Sequence, residues 1–167
     1  MRAVTLVPVL LLGASAAPIV QEEPDRSEIA GIAQRYLENR ARKVTTGAQA
    51  PGFGVPVTAA LAAELEVHET KLDAARASSR TRYRSAVVST RVDRLDTDQN
   101  GKAVVAHVYE QAELYFEDAG PVPSTGYALP HLLTFVRDGE SWVLADVAVG
   151  RYKHCALLPE TQRPPEC

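Results

Sequence analysis

A set of histidine, tyrosine and aspartate side chains is the best candidate for acid–base chemistry in this sequence. They come from a predicted helix and three neighbouring predicted strands, and they are Tyr36, His107, Tyr109, His131 and Asp146. Proton transfer needs a base, here His107 or Asp146, and a hydroxyl that donates to a developing oxyanion, here Tyr109 or Tyr36. The alternative is that these residues face solvent or make ordinary core hydrogen bonds, because strand alternation alone does not say which sheet face is enclosed.

A second pattern, Asp96-x-Asp98-x-Asn100-Gly101, matches the opening of an EF-hand calcium loop. Such a loop needs a bidentate Glu at its twelfth position, where this sequence has His107, and no predicted helix flanks the segment. We therefore expect an ordinary hairpin turn and no metal site. We also find no Gly-rich phosphate loop or nucleophile elbow, and we expect no cofactor.

Two helices are predicted in the first half of the chain. Asp25 and Glu28 resemble a capping box, and apolar residues then recur with helical spacing at Ile29, Ile32, Ala33, Tyr36 and Leu37. This first helix should end before Gly47, and a loop should span 45–57. Thr58 is a plausible N-cap for a second helix, which should end near Ser78-Ser79. The predicted apolar stripe of that helix comprises Leu61, Leu65, His68 and Leu72, with His68 expected in the core.

After the second helix the period changes from 3.6 to 2, which predicts antiparallel strands. The predicted strands are 84–95, 102–116, a third near 130–137, and 141–149. On the second strand, alternation puts His107, Tyr109, Gln111 and Tyr115 on one face. A loop is predicted over 119–126, and Asp138-Gly139 predicts a tight turn. Helices followed by sequential antiparallel strands indicate an α+β domain, with the helices packed on an antiparallel sheet.

The last two predicted strands carry a family resemblance. The apolar strand from His131, the Asp138-Gly139 turn and the Trp-x-Leu-x-Asp that ends at Asp146 resemble the end of a nuclear-transport-factor-2-like, or cystatin-like, domain. The resemblance covers roughly residues 25–150 and implies a curved sheet around an N-terminal helix, forming a cone with a cavity. That fold includes ketosteroid isomerases and polyketide cyclases as well as binding modules, so it does not by itself imply a function.

A narrower resemblance comes from the long strand Val104 to Phe116 together with Tyr127 and His131. It is similar to the N-terminal module of secreted actinobacterial amidase-domain proteins. The amidase domain of that family follows the module, and none of its catalytic residues has a counterpart here. We therefore expect no amidase activity.

The two ends of the chain indicate export and a stapled tail. Arg2, an apolar run and Ala14-Ser15-Ala16 predict a signal peptide cleaved between Ala16 and Ala17. Cys155 and Cys167 are the two cysteines, and in an exported chain they predict a disulfide. The predicted organisation is a signal peptide at 1–16, a disordered leader at 17–24, the α+β domain at 25–150 and a stapled tail at 151–167.

Charge and composition narrow the function. A net charge of −3, with both signs interspersed, argues against a nucleic-acid binder. The abundance of Arg and Ala hints at a bacterial source. We expect a secreted, non-catalytic module that binds a small molecule, an extracellular protein or a cell-wall component, with no membrane anchor after processing. The alternative is a small pocket enzyme, an isomerase or cyclase, that uses an Asp or His base and a Tyr donor.

Overall fold

The computed structural model describes residues 26–47, 50–118 and 120–150, and within these ranges two helices precede four strands. The elements are α1 (Arg26–Arg42), α2 (Ala59–Ser78), β1 (Tyr83–Thr97), β2 (Ala103–Phe116), β3 (Ser124–Asp138) and β4 (Ser141–Val149). The strands form one antiparallel sheet in the order β1-β2-β3-β4. The predicted α+β class is therefore confirmed.

The apolar stripe of α1 packs the helix onto the sheet. All five residues of the predicted stripe are buried: Ile29, Ile32, Ala33, Tyr36 and Leu37. Each large apolar side chain buried in this way contributes about 1.5–3 kcal/mol. Near the first turn, the Glu28 carboxylate accepts a hydrogen bond from the backbone N–H of Trp142 (3.0 Å). This bond joins the start of α1 to β4, while the other half of the predicted capping box, Asp25, lies outside the described residues.

The start of α2 is set by a side-chain cap. Thr58 has an extended backbone, and its hydroxyl accepts a hydrogen bond from Leu61 N (3.3 Å), as predicted. Leu61 and Leu65 are buried, but His68 is exposed. The expectation that His68 belongs to the core was therefore wrong, because only Leu61 and Leu65 of the predicted apolar stripe are buried.

The register of the sheet decides which side chains meet the helices. On β2 the even-numbered residues from Val104 to Leu114 are buried, and the odd-numbered residues face the other way. We call the helix-covered side the inner face and the opposite side the outer face. The enclosed core includes Phe135 of β3, and Trp142 and Leu144 of β4.

β3 begins earlier than predicted, at Ser124 instead of near residue 130. The Gly, Pro and Ser residues within 119–126 predicted a loop, but antiparallel pairing with β2 keeps the chain extended as far as Tyr115↔Ser124. As a result Tyr127 is a strand residue, directly opposite Ala112. The predicted loop at 119–126 is correspondingly shorter.

The turn between β1 and β2 is a hairpin turn, as predicted. The Asp98 carboxylate accepts hydrogen bonds from Lys102 N (2.8 Å) and Ala103 N (3.1 Å). Gly101 has a φ of 66°, a value that favours glycine in such turns. In the described part of the chain, no group of three or more His, Cys, Asp or Glu residues is arranged to hold a metal ion.

Both outermost strands have their free edges covered in part by other segments. Gln34 of α1 donates to the carbonyl of Val88 (2.8 Å), and Arg26 donates to that of Val92 (2.5 Å). On β4, Leu144 exchanges backbone hydrogen bonds with the loop before α2 (Thr58 N to Leu144 O 2.9 Å, Leu144 N to Pro56 O 3.0 Å). Such contacts block the pairing of an edge strand with another chain.

Several predictions concern parts of the chain outside the described residues. These are the signal peptide with its cleavage between Ala16 and Ala17, the leader at 17–24, and the Cys155–Cys167 disulfide in the 151–167 tail. Among the described helices, none is long and apolar enough to cross a membrane.

Candidate functional site

The structure divides the five predicted site residues between the two faces of the sheet. Tyr36 and His131 are buried on the inner face, with 2% and 1% exposure. His107 and Tyr109 are half-buried on the outer face, and Asp146 is exposed. The five residues therefore do not form one pocket. Successive residues of a strand point to opposite sides of the sheet, and the predicted set includes positions of both kinds.

The inner face carries a buried polar group centred on Glu110. We call Arg40, Glu110, Tyr127 and His131 the inner cluster. Glu110 Oε2 lies 3.0 Å from Arg40 Nη2 and 2.6 Å from His131 Nε2. The Tyr127 hydroxyl donates to Glu110 Oε1 (3.0 Å). Both carboxylate oxygens are thus engaged by protein groups.

Three elements position this cluster. Arg40 lies one turn after Tyr36 on α1, so both side chains are on the helix face that meets the sheet. Glu110 lies between the buried residues Val108 and Ala112 of β2. Tyr127 and His131 belong to β3, the strand that pairs with β2. Glu110 is fully buried, while the side chain of Arg40 keeps 21% of its surface exposed.

The surroundings of Glu110 keep its carboxylate ionised. Burial by itself raises the pKa of Glu110, but the hydrogen bond to His131, the charges of Arg40 and His131 and the Tyr127 hydroxyl together lower it. Because an ionised carboxylate only accepts hydrogen bonds, Nε2 of His131 must carry the proton that they share. Burial, then the negative charge of Glu110, raises the pKa of Tyr127 to about 12.

Two polar atoms of the cluster, Nδ1 of His131 and Nε of Arg40, are buried and have no hydrogen-bond partner among the described residues. Tyr36 lies close enough for the charges of Arg40 and Glu110 to act on its pKa, which burial raises. The cluster therefore holds an ionised carboxylate, and the hydroxyls of Tyr127 and of the neighbouring Tyr36 resist ionisation. Buried hydrogen-bonded groups of this kind position and support one another.

The outer face carries a second polar group along β2. We call His107, Tyr109, Gln111 and Tyr115 the outer row, and alternation predicted that these four residues share a face. Arginines of β1 lie over its two tyrosines: the guanidinium carbon of Arg91 is 5.3 Å from the Tyr109 ring centroid, and that of Arg84 is 6.0 Å from the Tyr115 ring. Both distances are within the range of cation–π contacts.

Two arginines beside the outer row, Arg91 and Arg94, are paired with aspartates. Arg91 forms an ion pair with Asp93 (2.5 Å). Asp96 Oδ2 lies 2.8 Å from both Arg94 Nη2 and His107 Nε2. The hydrogen bond with His107, and then the charge of Arg94, lower the pKa of Asp96. The outer row is therefore aromatic and of mixed charge, and neither α1 nor α2 covers it.

Asp146 lies apart from both groups. It is on β4, paired with Thr134, and its carboxylate accepts a hydrogen bond from the next backbone N–H, that of Val147 (2.8 Å). One strand, β3, separates β4 from β2, the strand that carries His107 and Tyr109. Among the described hydrogen bonds and ion pairs, none joins Asp146 to either residue.

An open cleft of about 550 Å³ lies elsewhere on the molecule, between the end of α2 and the loop that follows α1. None of the predicted site residues lines it. Its charged lining residues include Glu69, which pairs with the buried Lys43, and Asp73, which pairs with Arg76 (2.9 Å). The charges of Glu69 and Asp73 are therefore compensated locally.

Comparison with known proteins adds little. No family model matches this sequence, and no curated protein matches it. Among solved structures, the chain is similar to the crystal structure of the intermembrane space region of the chloroplast protein ARC6, at 11% identity. That alignment covers 76% of this chain and 97% of the other, with a TM-score of 0.49.

Proposed function

We propose that this protein is a secreted, non-catalytic module that binds a protein partner through the outer row. The observation that carries the proposal is an exposed sheet face on which Tyr and His side chains lie beside arginines. Tyrosine and arginine are enriched at protein interfaces and among the residues that dominate binding energy.

The charge pattern favours a protein over a polyanion as the partner. Arg91 and Arg94 are each neutralised by an aspartate two residues further along β1. A surface that binds nucleic acid or another polyanion instead concentrates uncompensated positive charge. Alternating charges of both signs suit a partner with a complementary pattern, and they contribute mainly to specificity.

The inner cluster argues against turnover. Its carboxylate has no exposed surface, and Arg40, His131 and Tyr127 occupy both oxygens. A substrate would have to displace these partners and leave Arg40 without its counter-charge. The alternative, a pocket isomerase or cyclase, would instead need His107 or Asp146 as the base, and both are on the face that the helices leave open.

The proposal also includes the family and the location. Two helices followed by four antiparallel strands, with α1 packed on the sheet, are consistent with a cystatin-like cone of the nuclear-transport-factor-2-like type. The signal-like start of the sequence supports export. An N-terminus at Ala17 in protein recovered from the medium would support secretion, and an intact Met1 would contradict it.

Two exposed valines provide a matched test of binding. Val87 lies on the outer face of β1 with 59% exposure, and Val67 lies on α2 with 56% exposure. A photo-cross-linking amino acid at each position, in the mature protein mixed with the medium and envelope fraction of the producing cells, samples the two surfaces. We expect a discrete adduct from position 87 and little from position 67. Equal adducts from both positions, or none from 87, would contradict the proposal.

A further inference from the structure

One end of the outer row carries a triangle of polar atoms around His107. Its Nε2 lies 2.8 Å from Asp96 Oδ2 and 2.9 Å from Arg94 Nη2, and those two atoms are 2.8 Å apart. All three side chains reach solvent, with exposed fractions of 33% for His107, 48% for Asp96 and 64% for Arg94. We call these three residues the outer triad. A partner that binds the outer row can therefore contact each of them.

A β-bulge places the triad on the outer face. The pairing of β1 with β2 passes from Arg91↔Tyr109 to Arg94↔His107, so three steps along β1 match two steps along β2. In a regular strand, residues three positions apart point to opposite faces. The bulge instead turns both arginines to the face of His107, which is a common use of such irregularities. The sheet backbone thus fixes Arg94 beside the imidazole.

The two contacts of His107 Nε2 exclude each other as hydrogen bonds. A guanidinium only donates and an ionised carboxylate only accepts, whereas one imidazole nitrogen carries either a proton or a lone pair. With a lone pair, Nε2 accepts from Arg94, and with a proton it donates to Asp96. The imidazolium form carries a proton on both nitrogens. It therefore bonds to Asp96 and faces Arg94 as a second positive charge.

The other charged groups near this imidazole are few in the described part of the chain. Asp93 of β1 lies close to it: the hydrogen bond with Arg91 lowers the pKa of Asp93, and the charges of Arg26 and His107 lower it further. On β3 the residue directly opposite is Leu132, which carries no charge. The protonation of His107 is therefore felt mainly by the other two members of the triad.

We propose that protonation of His107 frees the Arg94 guanidinium to bind an acidic side chain of the protein partner. This inference rests on the proposed function of the outer row, and it specifies one chemical group of the partner, a carboxylate opposite Arg94. The triad has no net charge while His107 is neutral and one positive charge once it is protonated, because Asp96 stays ionised. The hydrogen bond with His107, and then the charge of Arg94, lower the pKa of Asp96. Histidine ordinarily changes charge between about pH 5 and pH 8, so mild acidification should strengthen this contact.

An NMR titration of the mature protein tests the release of Arg94. Between about pH 7.5 and about pH 5.5, we expect its Nε–Hε resonance to shift with the same midpoint as the ring resonances of His107. Arg91 is the matched control, because it pairs with Asp93 and its resonance should shift much less. In the His107→Gln variant, the Arg94 resonance should not respond over this range.

A defined peptide tests the preference for a carboxylate. The probe is a peptide of alternating Ser and Glu residues, and its control carries Gln in place of every Glu. We expect the Glu peptide to bind the wild type about threefold more tightly at the lower pH, a change typical of one exposed charge pair. The His107→Gln variant should bind it equally at both pH values, and the Gln peptide should show no dependence on pH.

The inference is overturned if the Arg94 resonance does not follow the protonation of His107. It is also overturned if the wild type binds the Glu peptide equally at both pH values, or if the pH effect persists in His107→Gln. Both measurements use the protein and a defined peptide. Their outcome is therefore independent of the cross-linking from position 87, which tests the proposed function.

Discussion

Glu110 and Tyr109 are adjacent on β2, yet their side chains have opposite surroundings. Glu110 is fully buried and makes three polar contacts within the protein. Tyr109 is half-buried on the outer face beneath the guanidinium of one exposed arginine, Arg91. The comparison teaches that the face of the strand, more than the residue type, decides whether a polar side chain supports the fold or meets a partner.

The two regions should therefore respond differently to substitution. In the inner cluster, loss of one group leaves its buried partners without a compensating charge or hydrogen bond. The resulting loss of stability is larger than the net stability that the intact pair contributes. In the outer row, water replaces whatever contact is lost, so exposed ion pairs such as Arg91–Asp93 contribute little to stability.

The largest effect should follow from Glu110→Gln. This substitution removes the charge that balances Arg40, and we expect the free energy of unfolding to fall by about 3 kcal/mol. The matched control is Glu113→Gln on the exposed face of the same strand, with an expected change within about 0.5 kcal/mol. Urea denaturation of both variants at neutral pH measures the difference. Similar losses in the two variants would show that the inner cluster has no special structural role.

Acid should weaken the inner cluster. The pKa of Glu110 is lowered below its ordinary value of 4.5 in the folded protein. At pH values between the folded and the unfolded pKa, the unfolded chain therefore binds more protons than the folded chain. Stability therefore falls as the pH drops through that interval and is fully present above it. Other carboxyls also contribute, so the informative quantity is the difference between wild-type and Glu110→Gln melting temperatures from about pH 6 to about pH 3. That difference should shrink on acidification, and a constant difference would argue that Glu110 is not ionised in the fold.

A smaller loss is expected from Tyr127→Phe, which removes one hydrogen bond to an ionised carboxylate. We expect a decrease of about 1.5 kcal/mol in the free energy of unfolding. Tyr115→Phe is the control, because its hydroxyl donates to the exposed Glu113 (2.9 Å) and should matter far less. Urea denaturation distinguishes the two, and a greater loss in Tyr115→Phe would reverse the proposed roles of the faces.

The smallest effect on stability should come from Tyr109→Ala. The change removes a half-buried side chain and its contact with Arg91, and we expect less than about 1 kcal/mol. Thermal melting should remain cooperative. If Tyr109→Ala instead unfolds the protein, the outer row belongs to the core and the proposed interface does not exist.

Local sequence signals predicted most of the fold. The helical spacing from Ile29 to Leu37, the Thr58 cap and the Asp138-Gly139 turn each depend on a few neighbouring residues, and the structure agrees with them. The start of β3 at Ser124 was missed because pairing with β2, a long-range effect, overrides the loop-like composition of that stretch.

Of the inner cluster, His131 was among the predicted site residues, whereas Glu110, Arg40 and Tyr127 were missed for a related reason. On β2, the prediction looked for polar residues on the same face as His107. Glu110 instead lies on the opposite, buried face, together with Val104, Ala106 and Val108. The sequence did contain a signal: a charged residue stands at one of the alternating apolar positions of β2. A charge buried there requires polar partners, so this position could have predicted a buried polar cluster. Its partners Arg40 and Tyr127 come from α1 and from the unpredicted part of β3, and no local pattern brings them together.

The proposed division between the two faces is tested most directly by cross-linking from position 87 in two further backgrounds, Tyr109→Ala and Tyr127→Phe. Loss of an aromatic interface anchor costs about 2 kcal/mol or more, which corresponds to about a thirtyfold loss of affinity. We predict that Tyr109→Ala lowers the adduct yield strongly while the protein stays folded. Tyr127→Phe should leave the yield unchanged although the protein is less stable. If Tyr127→Phe abolishes the adduct and Tyr109→Ala preserves it, recognition depends on the inner face and the proposed division is wrong.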